Sequence, residues 1–528
     1  MKIGMNFLWG KQMMKRVVSA VLISAMVLSL SACGKSATSD EKDNPATEGA
    51  VNEVPYNIVI EWISVGNTPT EENLQKIETA INEITVPKIG CTVTLYPIEF
   101  SSLASDTALA ISSGEKLDLI CNLGGPSSAV TAGQIVPLTS YLDEYGANIK
   151  SRLGDTLTGG SYDGELWGVP VGYIKSEKYG FQARTDLLEK YNIKIDSNKL
   201  YTLEELGEIF DAIGPKEGSG FHCIAGNTST SDVFTTSLGT LDTLGGSTDG
   251  ATGALMLGTD IKNTKIQNIF ASEQYKNYAN LAYDWAQKGY IPNDAASNTD
   301  HVFTQLSTGN FLGTFYWTTE GASETCEASS GYKYTPIEIV PPVMMSANYS
   351  SLLWSVPITS ENPQKAFQFL DLLYGDNDID TILQFGLEGE TWKVIDSDDQ
   401  GNRLIDFVDG YNASTAPFYC YAGVYGDRLS WPVFKPNAID LNSKLRAFNE
   451  SVTTKSPALG YSYKITDAVS AGVSAVSAVI SQYAPIISAG SVNPEKSLAD
   501  FNLALETAGI NEIIADNQSQ LDEWLSKQ

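Results

Sequence analysis

The chain has 528 residues, too many for one hydrophobic core, so two or three lobes are expected. Hydrophobic residues make up 42% and charged residues 18%, which is the composition of a folded soluble protein. The 63 acidic residues outnumber the 34 basic ones and give a net charge of -29, so long-range repulsion argues against nucleic acid and anionic membrane surfaces as partners and favours a neutral or cationic one.

The N-terminal segment has the pattern of a secretion signal. Basic residues precede the apolar run VVSAVLISAMVLSLSA, which ends in the tetrapeptide LSAC at Cys33. This ending resembles the lipobox of bacterial lipoproteins, which implies that residues 1–32 form a signal peptide and that Cys33 becomes the acylated first residue. The alternative is a transmembrane anchor, but an anchor needs about 20 apolar residues, and this run is shorter and rich in Ser. The signal does not need residues 1–12, so Met13 and Met14 are alternative starts.

The segment after the signal is predicted to be a disordered tether, residues 33–55. Residues 34–55 contain no aromatic side chain and few large apolar ones, so they cannot bury enough surface to order themselves. Residues 1–32 contain four basic residues and no acid, so their removal changes the net charge from -29 to -33. The five cysteines after Cys33 are far apart and odd in number, which indicates neither a disulfide framework nor a CxxC metal site.

Strands and helices alternate from residue 56. YNIVIEWI, CTVTLYPI and LDLIC are predicted strands; the first two are separated by a helix behind Thr70 as N-cap, and the last two by the helix SSLASDTALAISSG. This order predicts right-handed crossovers and a parallel sheet with helices on its faces. Ligands of open α/β sheets bind beyond the carboxyl ends of the strands, so Trp62 and Asn122 are candidate contacts. The alternatives are a half-buried strand residue for Trp62 and a plain turn residue for Asn122.

A second lobe is predicted to begin within residues 161–200, where the sequence becomes rich in turns. Thr202-Leu203-Glu204-Glu205 is a capping box that opens an amphipathic helix. Further helices are predicted over 272–288 and 363–374. The small-residue segment 465–487 is predicted to be a closely packed helix rather than a membrane span.

Four segments, in chain order, resemble conserved passages of the family 1 extracellular solute-binding proteins. These segments are YDGELWGVP (162–170), FQARTDLLEKYNI with YTLEELGEIFDAI (181–213), LSTGNFLGTFYW (306–317) and SVPITSENPQKAFQFLDLL (355–373). They extend through most of residues 56–375. The longer section after residue 376 resembles the extended lipoproteins of this family.

The resemblance implies an α/β, two-lobed periplasmic-binding-protein-like fold of type II, with two α/β lobes joined by a multi-segment hinge. We expect an N-terminal lobe of residues 56–170 plus about 332–375. The C-terminal lobe is then 171–331 plus about 376–528, including the extended C-terminal section.

The implied function is that of a monomeric lipoprotein, lipid-anchored on the extracellular face of the bacterial cell membrane. It would capture an oligosaccharide and deliver it to ABC transporter permease subunits, with no cofactor and no catalysis. Sugar rings stack on aromatic planes while Asn, Asp, Glu and Gln bind their hydroxyls, which suits a chain with 25 Tyr and 9 Trp. The alternatives are a receptor for a peptide or other small solute, and a secreted carbohydrate-active enzyme.

The aromatic run GTFYWTTE (313–320) supplies the first candidate contact. The resemblance places Trp317 at the ligand cleft, and Glu320 nearby is a candidate acceptor for sugar hydroxyls. Side chains alternate along a strand, so Phe315 shares the face of Trp317 and Tyr316 takes the other face. Phe315 is predicted to be core. Core packing is the alternative for Trp317.

Four further aromatic residues are weaker candidates for ligand contact. Trp354 lies where the chain of the family crosses back to the first lobe, and Tyr173 follows a hinge-like proline. Trp392 and Trp431 belong to the C-terminal section, where the resemblance is loose. Trp285 has helical spacing and is predicted to be core instead.

The sequence offers little support for an enzyme or a metal site. A pair of carboxylates can always be proposed among 63 acids, so the glycosidase pattern is uninformative. His222 and His301 are not in a ligand spacing. Asp376, Asp378 and Asp380 have D-x-D-x-D spacing but lack the rest of an EF-hand loop, so they are predicted to begin a helix.

Overall fold

The computed structural model describes residues 54–65, 67–226, 239–246, 249–258, 260–420 and 422–528. The predicted signal peptide, the predicted lipid-attachment residue Cys33 and the predicted tether as far as residue 53 lie outside the described residues. Residues 54–528 belong to one compact unit.

Seventeen strands are present in the described part of the chain. They are β1 (Tyr56–Ser64), β2 (Cys91–Glu99), β3 (Ile120–Leu123), β4 (Ser161–Tyr162), β5 (Glu165–Leu166), β6 (Val169–Pro170), β7 (Tyr179–Arg184), β8 (His222–Ile224), β9 (Leu241–Asp242), β10 (Ala254–Met256), β11 (Ile266–Gln267), β12 (Phe311–Trp317), β13 (Tyr334–Val340), β14 (Leu352–Ser355), β15 (Trp392–Ser397), β16 (Arg403–Phe407) and β17 (Val433–Phe434).

Seventeen α-helices lie in the same described ranges. They are α1 (Glu71–Ile89), α2 (Leu103–Ser112), α3 (Ser127–Thr131), α4 (Thr139–Tyr145), α5 (Ala147–Leu153), α6 (Thr185–Lys190), α7 (Leu203–Ile213), α8 (Glu273–Gln287), α9 (Val302–Ser307), α10 (Ala322–Ser330), α11 (Ser346–Ser350), α12 (Pro363–Gly375), α13 (Asn377–Phe385), α14 (Leu441–Ser451), α15 (Asp467–Ser488), α16 (Pro494–Ala508) and α17 (Ile510–Leu525).

The first sheet has the predicted parallel arrangement. Strands β1 and β2 pair in parallel along their whole length, and Ile60 forms a further parallel bridge to Leu119, just before β3. Helix α1 joins β1 to β2; it begins at the cap Thr70 and ends at Gly90, whose φ of 63° lies in the left-handed region that glycine adopts without strain. Strand β3 then pairs antiparallel with β14, which also pairs with β6.

The first core packs β1, β2 and α12 against side chains from the section after residue 376. Ile379, Leu383 and Ile405 are fully buried in this core. The sequence analysis assigned 376–528 to the C-terminal lobe. As far as residue 434, large apolar side chains of this section bury their surface in the first core, and we therefore propose that this part belongs to the N-terminal lobe.

The second core surrounds a sheet with the strand order β13-β7-β12-β8. The rings of Phe210 and Phe315 lie edge-on to Phe181, with centroids 5.2 and 5.3 Å away. Thr202 forms the predicted capping box at the start of α7, and Trp285 is buried in this core as predicted.

The C-terminal helices α15, α16 and α17 complete the second core. Of the described helices, α15 alone is long and apolar enough to cross a membrane by length and composition. Its Val476, Ile480 and Ala484 are buried in the second core, which is the packing predicted for segment 465–487.

Three segments of the described chain connect the two cores, and they are hydrogen-bonded to one another. They run from β6 to β7, from β13 to β14, and from β17 to α15. The Asn449 side chain accepts from the Lys175 amide (2.7 Å) and donates to the Tyr173 carbonyl (3.0 Å). The Tyr349 hydroxyl donates to the Lys175 carbonyl (2.8 Å). These bonds tie all three segments together at their crossing.

Candidate ligand-binding site

The end of β12 exposes an indole ring on a fixed backbone. Phe315 is 7% exposed and packs in the second core, as predicted, whereas Trp317 is 43% exposed. The Trp317 carbonyl accepts from Nε2 of Gln182 (2.8 Å), and the next amide, of Thr318, donates to the Lys178 carbonyl (2.8 Å). The ring therefore projects from a strand end that cannot shift easily. This geometry suits the predicted contact between Trp317 and a ligand, and that contact remains a prediction.

Glu320 has one carboxylate oxygen beside a lysine and one without a partner. Oε1 lies 3.7 Å from Nζ of Lys178, which also contacts Oε1 of Glu338 at 2.7 Å. Oε2 is buried and has no hydrogen-bond donor among the described residues. A buried acceptor without a donor is costly, so a ligand hydroxyl at this oxygen would remove that cost.

The carboxyl edge of the first sheet exposes apolar side chains. Val65 follows β1, Phe100 follows β2 and Leu123 ends β3; each is substantially exposed, Phe100 at 41%. Asn122 lies inside β3 rather than after it, opposite Leu353, and its Nδ2 has no acceptor among the described residues. The sequence analysis missed Val65, Phe100 and Leu123. Each lies at or just after the end of a predicted strand, and this position could have identified them from the sequence.

Three of the tryptophans predicted as ligand contacts have side chains that are buried in the first core. Each indole N–H donates to a backbone carbonyl: Trp62 to Leu383 (3.2 Å), Trp354 to Val424 (2.6 Å) and Trp392 to Gly386 (3.0 Å). Trp62 and Trp354 are fully buried and Trp392 nearly so. Their one polar group is already satisfied, and their rings supply packing area.

Tyr173 and Trp431 flank Arg428 where the first core meets the connecting segments. The Arg428 guanidinium carbon lies 3.8 Å from the centre of the half-buried Tyr173 ring and 5.8 Å from that of Trp431. Trp431 is 9% exposed and packs edge-on against Phe385. The Trp431 ring thus packs in the first core beside Arg428, its buried Nε1 has no acceptor among the described residues, and its contact with a ligand stays a prediction. Arg428 was missed, because its sequence context carries no signal.

Glu177 brings a carboxylate into the same neighbourhood. The Tyr179 hydroxyl donates to its Oε2. Burial raises the pKa of Glu177, while the nearby Arg428 acts in the opposite direction. Burial also raises the pKa of Tyr316, with smaller contributions from Glu177 and Tyr173. The Tyr316 ring, on β12 of the second sheet, packs against the rings of Phe303 and Trp317, with centroids 5.4 and 4.9 Å away.

The backbone around Gly172 fixes Arg428. The Gly172 amide donates to the Gly426 carbonyl (3.0 Å), and the Arg428 amide donates to the Gly172 carbonyl (2.8 Å). A Cβ atom on residue 172 would lie 3.0 Å from the Asp427 Cα, so a larger residue there would require Asp427 to shift by a few tenths of an ångström.

The described residues contain no group of three or more His, Cys, Asp or Glu side chains that could hold a metal ion. The Asp376 side chain accepts from the amides of Asp378 (3.0 Å) and Ile379 (3.4 Å) and caps α13. This confirms the interpretation of the D-x-D-x-D run as a helix start.

Known proteins resemble the chain along nearly its whole length. Residues 79–382 match the family described as Bacterial extracellular solute-binding protein, and residues 457–526 match a domain of unknown function. The chain is 22% identical to a carbohydrate ABC transporter substrate-binding protein of Streptococcus pneumoniae serotype 4, over 98% of this chain and 99% of the relative.

Solved structures show the same fold. The N-glycan transport solute binding protein NgtS of Streptococcus pneumoniae superposes with a TM-score of 0.75 at 19% identity, over 89% of this chain and 99% of that one. NgtS has also been solved with Man1GlcNAc and with Man5GlcNAc. An HMO binding, ABC-transporter associated solute binding protein of Bifidobacterium longum infantis gives a TM-score of 0.59 at 15% identity, over 90% of this chain and 100% of that one. The predicted two-lobed α/β fold of type II is confirmed. Since the family match spans more than half of its residues, the chain belongs to the bacterial extracellular solute-binding proteins.

Proposed function

We propose that this protein captures an oligosaccharide between its two lobes and delivers it to the permease subunits of an ABC importer, without catalysing a reaction. The observation that carries the proposal is the exposed Trp317 ring on its fixed strand end, with the unpaired Glu320 oxygen three residues further on. The carbohydrate relative in Streptococcus pneumoniae and the sugar complexes of NgtS support it.

Both proposed lobes carry apolar and polar groups of the kinds that a sugar requires. The apolar face of a pyranose ring packs on an aromatic plane such as Trp317, while its hydroxyls need donors and acceptors at the rim. Glu320 and Asn122 each keep an unpaired polar atom for that purpose. Phe100 and Leu123 supply further apolar area at the edge of the first sheet.

Ligand capture is proposed to use the crossing of the three connecting segments as a hinge. A ligand that contacts both lobes binds the closed arrangement more tightly than the open one, and so shifts the population toward closure. We assign β1–β6 and residues 352–434 to one lobe and residues 179–340 with 458–528 to the other.

The last part of the proposal concerns where the protein is located. We propose that residues 1–32 are removed on export and that Cys33 carries a lipid that holds a monomeric receptor on the extracellular face of the membrane. The family is extracellular by description, which supports export of this chain.

The test is a thermal-shift and calorimetric screen of the mature chain against Man1GlcNAc, Man5GlcNAc, the fructan kestose and mixed peptides, with chromatography of each glycan after incubation. A glycan whose free concentration is 100 times its Kd stabilises the folded state by about 2.7 kcal/mol. We expect stabilisation by a glycan without any product. Stabilisation by peptides alone contradicts the substrate class, and cleavage of a glycan makes the protein an enzyme.

A further inference from the structure

Gln182 is a fully buried polar side chain in the middle of β7. Its neighbours in the strand, Phe181 and Ala183, are fully buried apolar residues of the second core. A buried amide costs free energy unless its donor and its acceptor are both bonded. Both groups of Gln182 are bonded, and the destination of the two bonds indicates what this side chain does.

Both bonds of the Gln182 amide go to the segment that carries Trp317. Nε2 donates to the Trp317 carbonyl (2.8 Å), and Oε1 accepts from the Ser323 hydroxyl (2.9 Å). The backbone of Gln182 lies opposite Thr314 in the β7–β12 ladder, so its side chain reaches along β12 as far as Trp317. Ser323 lies in the first turn of α10. One buried amide therefore holds both ends of the turn between β12 and α10.

The β7 side of the molecule holds this turn at further points. The Thr318 amide donates to the Lys178 carbonyl (2.8 Å), and the Lys178 amide donates to the Thr319 hydroxyl (2.9 Å). Gly321 has a φ of 89°, a conformation that glycine adopts without strain, so the chain can turn sharply into α10. The backbone that follows the exposed Trp317 ring is therefore bonded at successive residues.

The Trp317 ring is supported on one side by Tyr316. The two ring centroids are 4.9 Å apart, and the Tyr316 ring in turn lies edge-on to Phe303 at 5.4 Å. The indole keeps 43% of its surface exposed. Its orientation thus depends on the neighbouring ring and on the backbone at Trp317, whose carbonyl Gln182 holds.

We propose that Gln182 is a positioning residue for ligand binding: it holds the end of β12 so that the Trp317 ring is oriented for stacking before a sugar arrives. This inference rests on the proposed oligosaccharide function, and Gln182 is too deeply buried to touch the sugar itself. A ring that is held in place before binding loses little conformational entropy when the ligand binds. An apolar side chain would serve packing alone, as at Phe181 and Ala183, whereas an amide can also hold the turn.

The experiment is a double-mutant cycle in which calorimetry measures the Kd of Man1GlcNAc, Man5GlcNAc or kestose, whichever binds the wild type. Gln182→Met keeps a long, unbranched side chain but removes both bonds, and we expect it to raise the Kd about fivefold or more. In a Trp317→Ala background the same substitution should change the Kd by less than about twofold, because Gln182 acts through that ring. Ser323→Ala removes one bond and should give a smaller increase, whereas Ser323→Thr keeps the hydroxyl and should bind like the wild type.

A second readout follows the ring in the absence of ligand. Protein labelled with 5-fluorotryptophan gives a fluorine NMR signal that is missing in Trp317→Phe, and this difference assigns the signal to Trp317. We expect the assigned signal to shift or broaden in Gln182→Met and in Ser323→Ala. A loss of stability elsewhere in the protein would not change it.

Asn517 provides a matched control in the second core. It is also a fully buried amide: its Nδ2 donates to the Thr252 carbonyl (3.0 Å), and its Oδ1 accepts from the Tyr461 hydroxyl (2.9 Å). Asn517→Leu removes the same two kinds of bond. It should lower the stability measured by urea unfolding, yet leave the glycan Kd and the fluorine signal of Trp317 unchanged.

The outcomes separate this inference from the proposed function. If a glycan binds the wild type, and Gln182→Met and Ser323→Ala both bind it within about twofold, the inference is wrong and the oligosaccharide function stands. Equal effects of Gln182→Met with and without the Trp317 ring also overturn the inference alone, because the effect then bypasses that ring. If urea unfolding shows that Gln182→Met does not fold, Ser323→Ala decides in the same cycle. If no glycan binds the wild type, both the function and the inference are wrong.

Discussion

Glu61 of β1 accepts a hydrogen bond of 2.5 Å from the hydroxyl of Thr107, which lies on α2. Its other carboxylate oxygen accepts from the Cys121 amide at 2.8 Å, and the side chain is fully buried. Burial raises the pKa of Glu61 to about 7, although both hydrogen bonds act in the opposite direction. An acidic group inside the sheet thus titrates near neutral pH.

The stability of the protein should therefore depend on pH through Glu61. The folded state holds this proton more tightly than the unfolded chain, so the contribution is fully present below the ordinary glutamate pKa of 4.5 and is lost as pH rises through about 7. The loss is on the order of 3 kcal/mol. Urea unfolding from pH 5 to 8 should show this slope in the wild type and a flatter one in Glu61→Gln. Parallel slopes in the two proteins would contradict the assignment.

Trp317→Ala should weaken glycan binding tenfold or more and leave the ligand-free melting temperature nearly unchanged. The exposed ring contributes little buried area to the folded state, but it provides the proposed stacking plane. Phe315→Ala, two residues earlier on the same strand, is the matched control. It should cost about 3–5 kcal/mol, because it leaves a cavity beside Phe181. A large loss of stability in Trp317→Ala would mean that this ring is structural.

Trp62→Ala should destabilise the protein by about 3–5 kcal/mol. The substitution removes a fully buried ring that packs 4.9 Å from Phe418, and it leaves the Leu383 carbonyl without its donor. Chemical unfolding measures the loss. If Trp62→Ala keeps wild-type stability but loses glycan binding, the ring is a ligand contact after all.

Asn449→Ala should loosen the crossing of the connecting segments. The Lys175 amide and the Tyr173 carbonyl both lose their partner, which costs about 1–3 kcal/mol for each group that stays buried. Hydrogen exchange at the Lys175 amide should speed up in Asn449→Ala and stay unchanged in the control Ser443→Ala, an exposed position on the same helix. Equal exchange in both variants would show that the bond does not restrain the hinge.

Sequence patterns that span a few residues predicted the helices and strands well. The site was harder to predict, because its side chains depend on partners far away in the sequence. Thr70 and Thr202 cap helices within three residues of their own position, so their sequence context is sufficient. Trp62 donates to a carbonyl 321 positions away, and no pattern near residue 62 reports that partner. Arg428 likewise depends on Tyr173 and Gly172, which only the folded chain brings beside it.

The interleaving of the two cores affects how the chain can fold. The first core includes side chains from Ile58 to Trp431, and the second from Phe181 to Leu521. The first core can be completed only after residue 431 has emerged, and the second only when the chain is nearly complete, so apolar surface stays uncovered until late in export. A chain that ends near residue 440 would contain the whole first core but lack the helices that close the second. Its exposed second core would be a target for chaperones and proteases.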